Sequence, residues 1–372
     1  MKDFQLRNDT KLWFCNNPME RLREVINKKR VLFVYGGGSA KENGCFDDVK
    51  NAVFESGGDF YELGNSSRDR TAIEAGMKVV KNNQIQLVIG AGGASVMDCA
   101  KLIAFGACHE ADWWEFVKGR KNPYGLERLP LVLMPTYPSS GSEYGLGAVS
   151  ADSRTGDFGT AYGIAADYAI LVPKYSLSLN KEMTAYTGLV TLVQLSASVI
   201  GDKNPISYAA GVSVICNVLK AVIALDENPN DLDARGVILY GASISTSGRL
   251  GIGKEENYAY DIYELEFVPE VLFDVPYRKS LTVLFPRFLK MMSVYHEDDI
   301  RTYIQDVFGY KGGIDESVER IVSLFEGLGI SMYFKGDWTE KSLESIPIDS
   351  MLTQEEITEM IRYSMYPGNL TE

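Results

Sequence analysis

Through its first 180 residues the chain alternates short apolar runs with amphipathic stretches, and this alternation restricts the fold more than any other feature. The runs are VLFVY (31–35), DFYEL (59–63), QLVIGA (86–91), LPLVLMPT (129–136) and ADYAILV (166–172). Between the first three lie FDDVKNAVFES (46–56) and RTAIEAGMKVVKNN (70–83), whose apolar residues recur at helical spacing. Strands that are continuously apolar, rather than alternating, are buried on both faces. The pattern therefore predicts a parallel sheet covered by helices.

After about residue 180 the strand signal fades. KEMTAYTGLVTLVQLSASVI (181–200), SYAAGVSVICNVLKAVIAL (207–225) and DARGVILYGASISTSGRLG (233–251) read as long buried helices. YRKSLTVLFPRFLKMMSVY (277–295) carries Pro286, which starts or kinks a helix. DESVERIVSLFEGLG (315–329) is amphipathic, and TQEEITEMIRYSMY (353–366) opens with Thr353 and Glu356 at capping-box spacing. The expected class is α/β plus all-α: a parallel-sheet domain over 1–180 and a helical domain over 181–372, packed directly without a flexible linker. A chain of 372 residues has ample material for a large core in two or three domains.

The formal net charge of −13 argues against nucleic acid or an anionic membrane surface as partner. It leaves room for a small anionic ligand, because glycine loops and helix N-termini supply local positive potential. MKDFQLRNDTKLWF (1–14) is polar and mixed, which predicts no secretory leader, and no uninterrupted apolar run reaches the roughly 18–20 residues of a membrane span. The cysteines, Cys15, Cys45, Cys99, Cys108 and Cys216, are odd in number, scattered and form no CxxC pair. They read as reduced thiols in a cytoplasmic protein, without a disulfide framework or a cysteine zinc site.

Two strand–glycine–helix units carry the chemistry. One contains Gly36, Gly37, Gly38 and Ser39; the other contains Gly92, Gly93, Ala94 and Ser95, followed by Asp98 and Lys101. Glycine lets backbone N–H groups approach phosphate oxygens closely, and the following helix adds its dipole. Neither unit fits G-x-G-x-x-G or a Walker A loop. Each alone is also compatible with a simple tight turn. Two of them on successive parallel strands face the same carboxyl edge, where ligands bind. A third segment, MPTYPSSGSEYG (134–145), offers Thr136, Ser139, Ser140 and Ser142 to the same ligand, or forms a hydroxyl-rich surface turn.

With YGGGSAKENG, AGGASVMDCAKLIA, DWWEFVKG (112–119) and MPTYPSSGSEYGLGAVS, the chain resembles the iron-containing (metal-dependent) alcohol dehydrogenases, in their butanol-dehydrogenase-like branch. The register continues through ILVPKYSLSLNKEMTAYTGLV and YELEFVPEVLFDVPYRKSLTVLFPRFLKMM, so it covers roughly residues 10–310. The resemblance implies an N-terminal dinucleotide-binding domain, a C-terminal helical domain and an active-site cleft between them. The implied cofactor is NAD or NADP, with Gly37, Gly38, Ser39, Gly92, Gly93, Ser95, Asp98, Thr136 and Ser140 at cofactor-contacting positions. Some members carry an aspartate in the first loop that repels a 2′-phosphate; Gly38 stands there, which leaves both cofactors open. Members are often homodimers.

The resemblance breaks at the metal. Family members hold iron or zinc through one aspartate and three histidines, and the matching positions here are Val190, Gln194, Leu265 and Tyr277. The only two histidines, His109 and His296, lie elsewhere and read as ordinary surface residues. A divalent cation needs several charged or imidazole ligands at about 2.0–2.3 Å. Valine and leucine donate nothing, so no metal ligands are assigned and no firmly bound Fe or Zn is expected. Asp261, Glu264, Glu266 and Asp274 offer an all-oxygen alternative or simply a solvated helix face. Further departures are Phe158 near a family lysine, Val172 at the family's L-D-P turn, and NSSRD (65–69) in place of an N-P dipeptide.

A phenol beside a cation protonates carbonyls in metal-free reductases. Tyr277, followed by Arg278 and Lys279, is therefore the catalytic candidate, with Gln194 as its hydrogen-bonding partner; packing of an emptied cavity is the alternative role. Two functional readings follow. One is an NAD(P)-dependent oxidoreductase on a small alcohol or aldehyde with its usual metal site lost. The other is an inactive homologue that binds a nucleotide or a protein partner.

Overall fold

The computed structural model describes residues 2–254 and 257–366. The α/β portion holds strands β1 (Lys11–Phe14), β2 (Arg30–Tyr35), β3 (Asp59–Leu63), β4 (Leu87–Gly92), β5 (Leu131–Pro135), β6 (Gly147–Asp152), β7 (Asp157–Tyr162) and β8 (Tyr168–Leu171). Six of them form a parallel sheet in the order β1-β8-β5-β4-β2-β3, and β6 and β7 pair as a separate antiparallel hairpin. Successive strand residues point to opposite faces, and both faces are covered. Val31, Phe33, Leu87 and Ile89 pack against α1 (Met19–Ile26) and α2 (Cys45–Glu55), while Leu32, Val34 and Val88 pack against α3 (Arg70–Asn83) and α4 (Ala94–Gly106). This two-sided burial is why the strands read as unbroken apolar runs.

The chain leaves β2 toward β3 on one side, then returns to place β4 on the other side of β2. Strand order thus reverses between β2 and β4, and the loops leaving these strands flank the crevice where open α/β sheets bind ligands.

The helical portion comprises α5 (Lys181–Val199), α6 (Pro205–Glu227), α7 (Leu232–Ser245), α8 (Tyr277–Ser293), α9 (Glu297–Phe308), α10 (Ile314–Gly327) and α11 (Gln354–Tyr363), with shorter turns between. Their starts have chemical causes. The side chains of Asn180, Asn204 and Asp231 accept first-turn amides of α5, α6 and α7, and Thr353 and Glu356 form the expected capping box on α11. Pro286 lies inside α8 rather than at its start. By length and composition α6 meets the requirement for a membrane span, which the sequence did not signal because Ser207, Ser213, Asn217 and Lys220 interrupt it. Its buried stripe, Ser207, Gly211, Ile215, Val218, Val222 and Leu225, follows helical spacing, and the helix packs on α5.

The chain divides into two compact units. One is Leu6–Leu179 with Asn230–Gly248; the other is Asn180–Pro229 and the described residues from Arg249 on, together with those before Leu6. One unit boundary falls between Leu179 and Asn180, and α7 belongs to the sheet-bearing unit. Gly236 of α7 allows this: a Cβ there would stand 2.7 Å from the Phe14 ring and 3.5 Å from Pro173.

Candidate functional site

The loops at the carboxyl edge of the sheet are linked by hydrogen bonds, the first to the second by way of the segment after β3. The amide of Thr136, leaving β5, donates to Gly92 O at 3.0 Å, and the amide of Asn65, beyond β3, donates to Gly36 O at 3.0 Å. The Ser95 hydroxyl accepts the amide of Arg68 at 3.0 Å. The Ala94 and Ser95 amides lie in the first turn of α4, where the helix offers them no acceptor of its own. Gly37, Gly38 and Ser39 lead directly out of β2, and Gly92, Gly93 and Ser95 out of β4, so the structure sets these predicted residues on either side of the strand-order reversal.

The glycines play different parts. A Cβ on Gly92 would lie 2.8 Å from the Val96 side chain, so strand and helix meet too closely there for any larger residue. A Cβ on Gly37 would meet nothing within 4 Å, and one on Gly93 would make only ordinary contact with Tyr137 at 3.5 Å. Packing does not demand glycine at 37 or 93, and neither has positive φ. Open space over bare backbone is what a phosphate cradle requires. Gly37→Ala and Gly93→Ala are accordingly expected to leave the urea midpoint unchanged while weakening dinucleotide binding about tenfold or more. Fluorescence titration with NADH and NADPH reads the binding; unchanged affinity in both variants would reduce the loops to turns.

Behind these loops lies a buried polar layer. Asp98, 4% exposed, accepts the Ser142 hydroxyl at 2.6 Å and the Val149 amide at 3.2 Å, and Arg68 Nε stands 3.3 Å from it. Thr136 is also buried, and Ser140 Oγ accepts the amide of Ser142 at 3.3 Å. Lys101, one turn after Asp98, is fully buried; its ammonium donates to Gly145 O and Gly147 O, each at 2.8 Å. Burial pushes the lysine down to about 8. Glu143 accepts the Ser243 hydroxyl of α7 at 2.5 Å, and burial raises its pKa. The third loop is therefore held from beneath by α4 and from the side by α7. The α7 contribution was not legible: nothing in DARGVILYGASIS marks Ser243 as a partner of Glu143, 100 residues away.

In the other unit, the positions matching family metal ligands come together in part. Val190 and Gln194 are one turn apart on α5, on one face. Gln194 Nε2 donates to Tyr277 Oη at 2.8 Å, joining α5 to the first residue of α8. Val190 and Leu265 are fully buried, and Gln194 is 5% exposed. Nearby, burial raises Tyr263 well above the usual phenol range, with Tyr277 next among the causes. The Arg278 guanidinium lies 5.9 Å from the Tyr186 ring centre, and burial lowers the Lys279 ammonium. This donor set does not fit a divalent cation: two aliphatic groups, an amide and a phenol supply no anionic or imidazole ligand.

The remaining candidates are engaged elsewhere. Asp261 accepts the Ser350 hydroxyl at 2.6 Å and the Met351 amide at 3.2 Å. His109 stacks on Phe105 and reaches Glu127 O at 2.9 Å, while His296 stacks on Tyr258 at 3.7 Å. Among the described residues no group of three or more His, Cys, Asp or Glu side chains is arranged to hold a metal ion.

Residues 9–176 match the family model for iron-containing alcohol dehydrogenase. The chain is 29% identical over 304 residues to the probable NADH-dependent butanol dehydrogenase 1 of Bacillus subtilis, spanning 78% of this chain and 76% of the relative. It is 27% identical over 350 residues to the NADPH-dependent aldehyde reductase YqhD of Escherichia coli, spanning 89% and 88%. In fold it superposes on the crystal structure of NADH-dependent butanol dehydrogenase A from Thermotoga maritima with a TM-score of 0.87, at 22% identity, over 98% of this chain and 99% of the other. It also superposes on sulfoacetaldehyde reductase from Bifidobacterium kashiwanohense, solved with NAD+, with a TM-score of 0.84 at 17% identity over 99% and 100%. Residues 9–176 thus match the iron-containing alcohol dehydrogenase family model by sequence, and the chain shares its fold over nearly its whole length with these solved structures.

Proposed function

We propose that this protein is an NAD(P)-dependent oxidoreductase that interconverts a small aldehyde and its alcohol without a bound metal ion. The observation that carries the reading is the hydrogen bond between Gln194 and Tyr277 at two positions where relatives place metal ligands, with Val190 and Leu265 buried at the other two. The glycine loops after β2 and β4 hold the dinucleotide, and the relatives named for NADH or NADPH support that choice. The bound nicotinamide supplies the hydride. Tyr277 is the proposed proton donor to the substrate carbonyl oxygen, with Gln194 Nε2 donating to its phenol oxygen at 2.8 Å. Gln194 fixes the phenol's orientation and stabilises the phenolate left after transfer, which solvent reprotonates.

Metal removal tests the reading. Turnover of a short-chain aldehyde with NADH or NADPH is expected to persist in protein carrying less than about 0.1 equivalent of Fe, Zn, Mn and Ni, and to be insensitive to chelators. Activity that vanishes with chelator and returns with a divalent metal would sink it. Dinucleotide binding with no turnover on any short-chain aldehyde would favour the second reading, a nucleotide-binding homologue without catalysis, to which the loss of all four usual ligand types also points.

A further inference from the structure

The segment after β3 runs back along the carboxyl edge of the sheet. The Asn65 and Ser66 amides bond to Gly36 O and Tyr35 O, each at 3.0 Å, and the Arg68 amide bonds to the Ser95 hydroxyl at 3.0 Å. Four residues thus bridge from the first glycine loop to the second. The Arg68 carbonyl is fixed as well, by the Ser150 hydroxyl at 2.7 Å and the Ala151 amide at 3.1 Å. Its backbone is held from both sides, so the side chain starts from a fixed point beside the second loop.

The side chain is held at its middle. Arg68 Nε lies 3.3 Å from Asp98 Oδ2, an ion pair rather than an aligned hydrogen bond, and that nitrogen is buried. The side chain as a whole is 41% exposed against 5% for Asp98. A guanidinium whose Nε faces inward presents its terminal amino groups outward, in a planar fork that matches phosphate oxygens. Arg68 meets Asp98 through Nε alone, whereas the neighbouring guanidiniums engage carboxylates through their terminal nitrogens as well. Arg70 pairs with Glu74 at 2.8 Å and Asp152 at 3.4 Å, and Arg154 pairs with Asp152 at 2.7 Å. Lys101 is buried on backbone carbonyls. In a chain with net charge −13, an anionic ligand at these loops needs a local cation.

We propose that Arg68 is that cation: it anchors the pyrophosphate of the dinucleotide at the second glycine loop, a role that rests on the reading of the glycine loops given above. Arg68 would be a binding residue, and Asp98 the group that orients it.

Fluorescence titration of the wild type, Arg68→Met and Arg68→Lys with NADH, NADPH, ADP and adenosine tests this. Arg68→Met is expected to raise the Kd for NADH, NADPH and ADP about tenfold to a hundredfold, with adenosine unchanged. It is also expected to flatten the dependence of the NADH Kd on KCl concentration. Arg68→Lys keeps the charge beside Asp98 and loses the fork, so an intermediate loss is expected; it also reads the site if Arg68→Met weakens the fold. Wild-type affinity and salt dependence in both variants would overturn the proposal while leaving the glycine loops intact. A loss confined to NADPH would overturn it in favour of a 2′-phosphate contact. A wild type that binds neither dinucleotide would remove the loop reading and this proposal together.

Discussion

Tyr277→Phe is expected to lower kcat by about two to four orders of magnitude, with the Kd for NADH or NADPH unchanged. The size follows from what the phenol replaces. Family members stabilise the developing alkoxide with a metal ion, and here the positions of its ligands hold two aliphatic side chains, an amide and the phenol itself. Loss of one oxygen removes the proposed acid while keeping the ring. Phenylalanine fills nearly the same volume at a half-buried helix start, so a large change in stability is not expected. Gln194→Leu is expected to act more weakly, because it removes the orienting hydrogen bond and leaves the acid in place. The informative comparison is kcat against KM together with the urea midpoint of each variant. Unchanged turnover in Tyr277→Phe would reduce the tyrosine to packing.

How much of this was legible depended on whether a signal was local. Continuous apolar strands announce themselves, so DFYEL matches β3 residue for residue, and RTAIEAGMKVVKNN matches α3. The edge strand KLWF and the hairpin strands GAVSAD and DFGTAY were silent, because they are short, partly exposed and mixed in polarity. An edge strand borrows its conformation from its neighbour, here β8, and carries little pattern of its own. Helix α7 read correctly as a helix, yet its membership of the sheet-bearing unit is set by long-range contacts no local window contains. The site divides the same way. The glycine loops lie next to their strands in sequence and were visible; Gln194 and Tyr277, 83 residues apart, came together on paper only through the family register. Arg68 carries no sequence signal beyond being an arginine, since its role depends on a crossing backbone.

Gly141→Ala is expected to destabilise the protein by about 2–4 kcal/mol and to loosen the third loop. Gly141 has φ of +64°, where an L side chain is strained, a cost of about 1 kcal/mol by itself. The larger part is steric. A Cβ there would stand 2.1 Å from the carbonyl oxygen of Ala242 and 2.5 Å from Thr246 Oγ1. The first of these is backbone of α7 and cannot rotate aside, so loop and helix must separate. Separation breaks contacts that converge on the same spot. Gly141 O accepts the Tyr144 amide at 2.9 Å, the Gly145 amide at 3.0 Å and the Thr246 hydroxyl at 2.9 Å. Two residues on, Glu143 would be drawn from Ser243 and left buried without that donor. Thr246→Ala should not rescue the variant, because it removes the hydroxyl and leaves the Ala242 carbonyl where it is. Gly37→Ala is the matched control, the same substitution in a loop with open space. Urea denaturation of the three proteins decides the matter: a Gly141→Ala midpoint within about 0.5 kcal/mol of wild type would mean that α7 does not clamp the loop, and that the polar layer beneath the glycine turns is not what holds them in register.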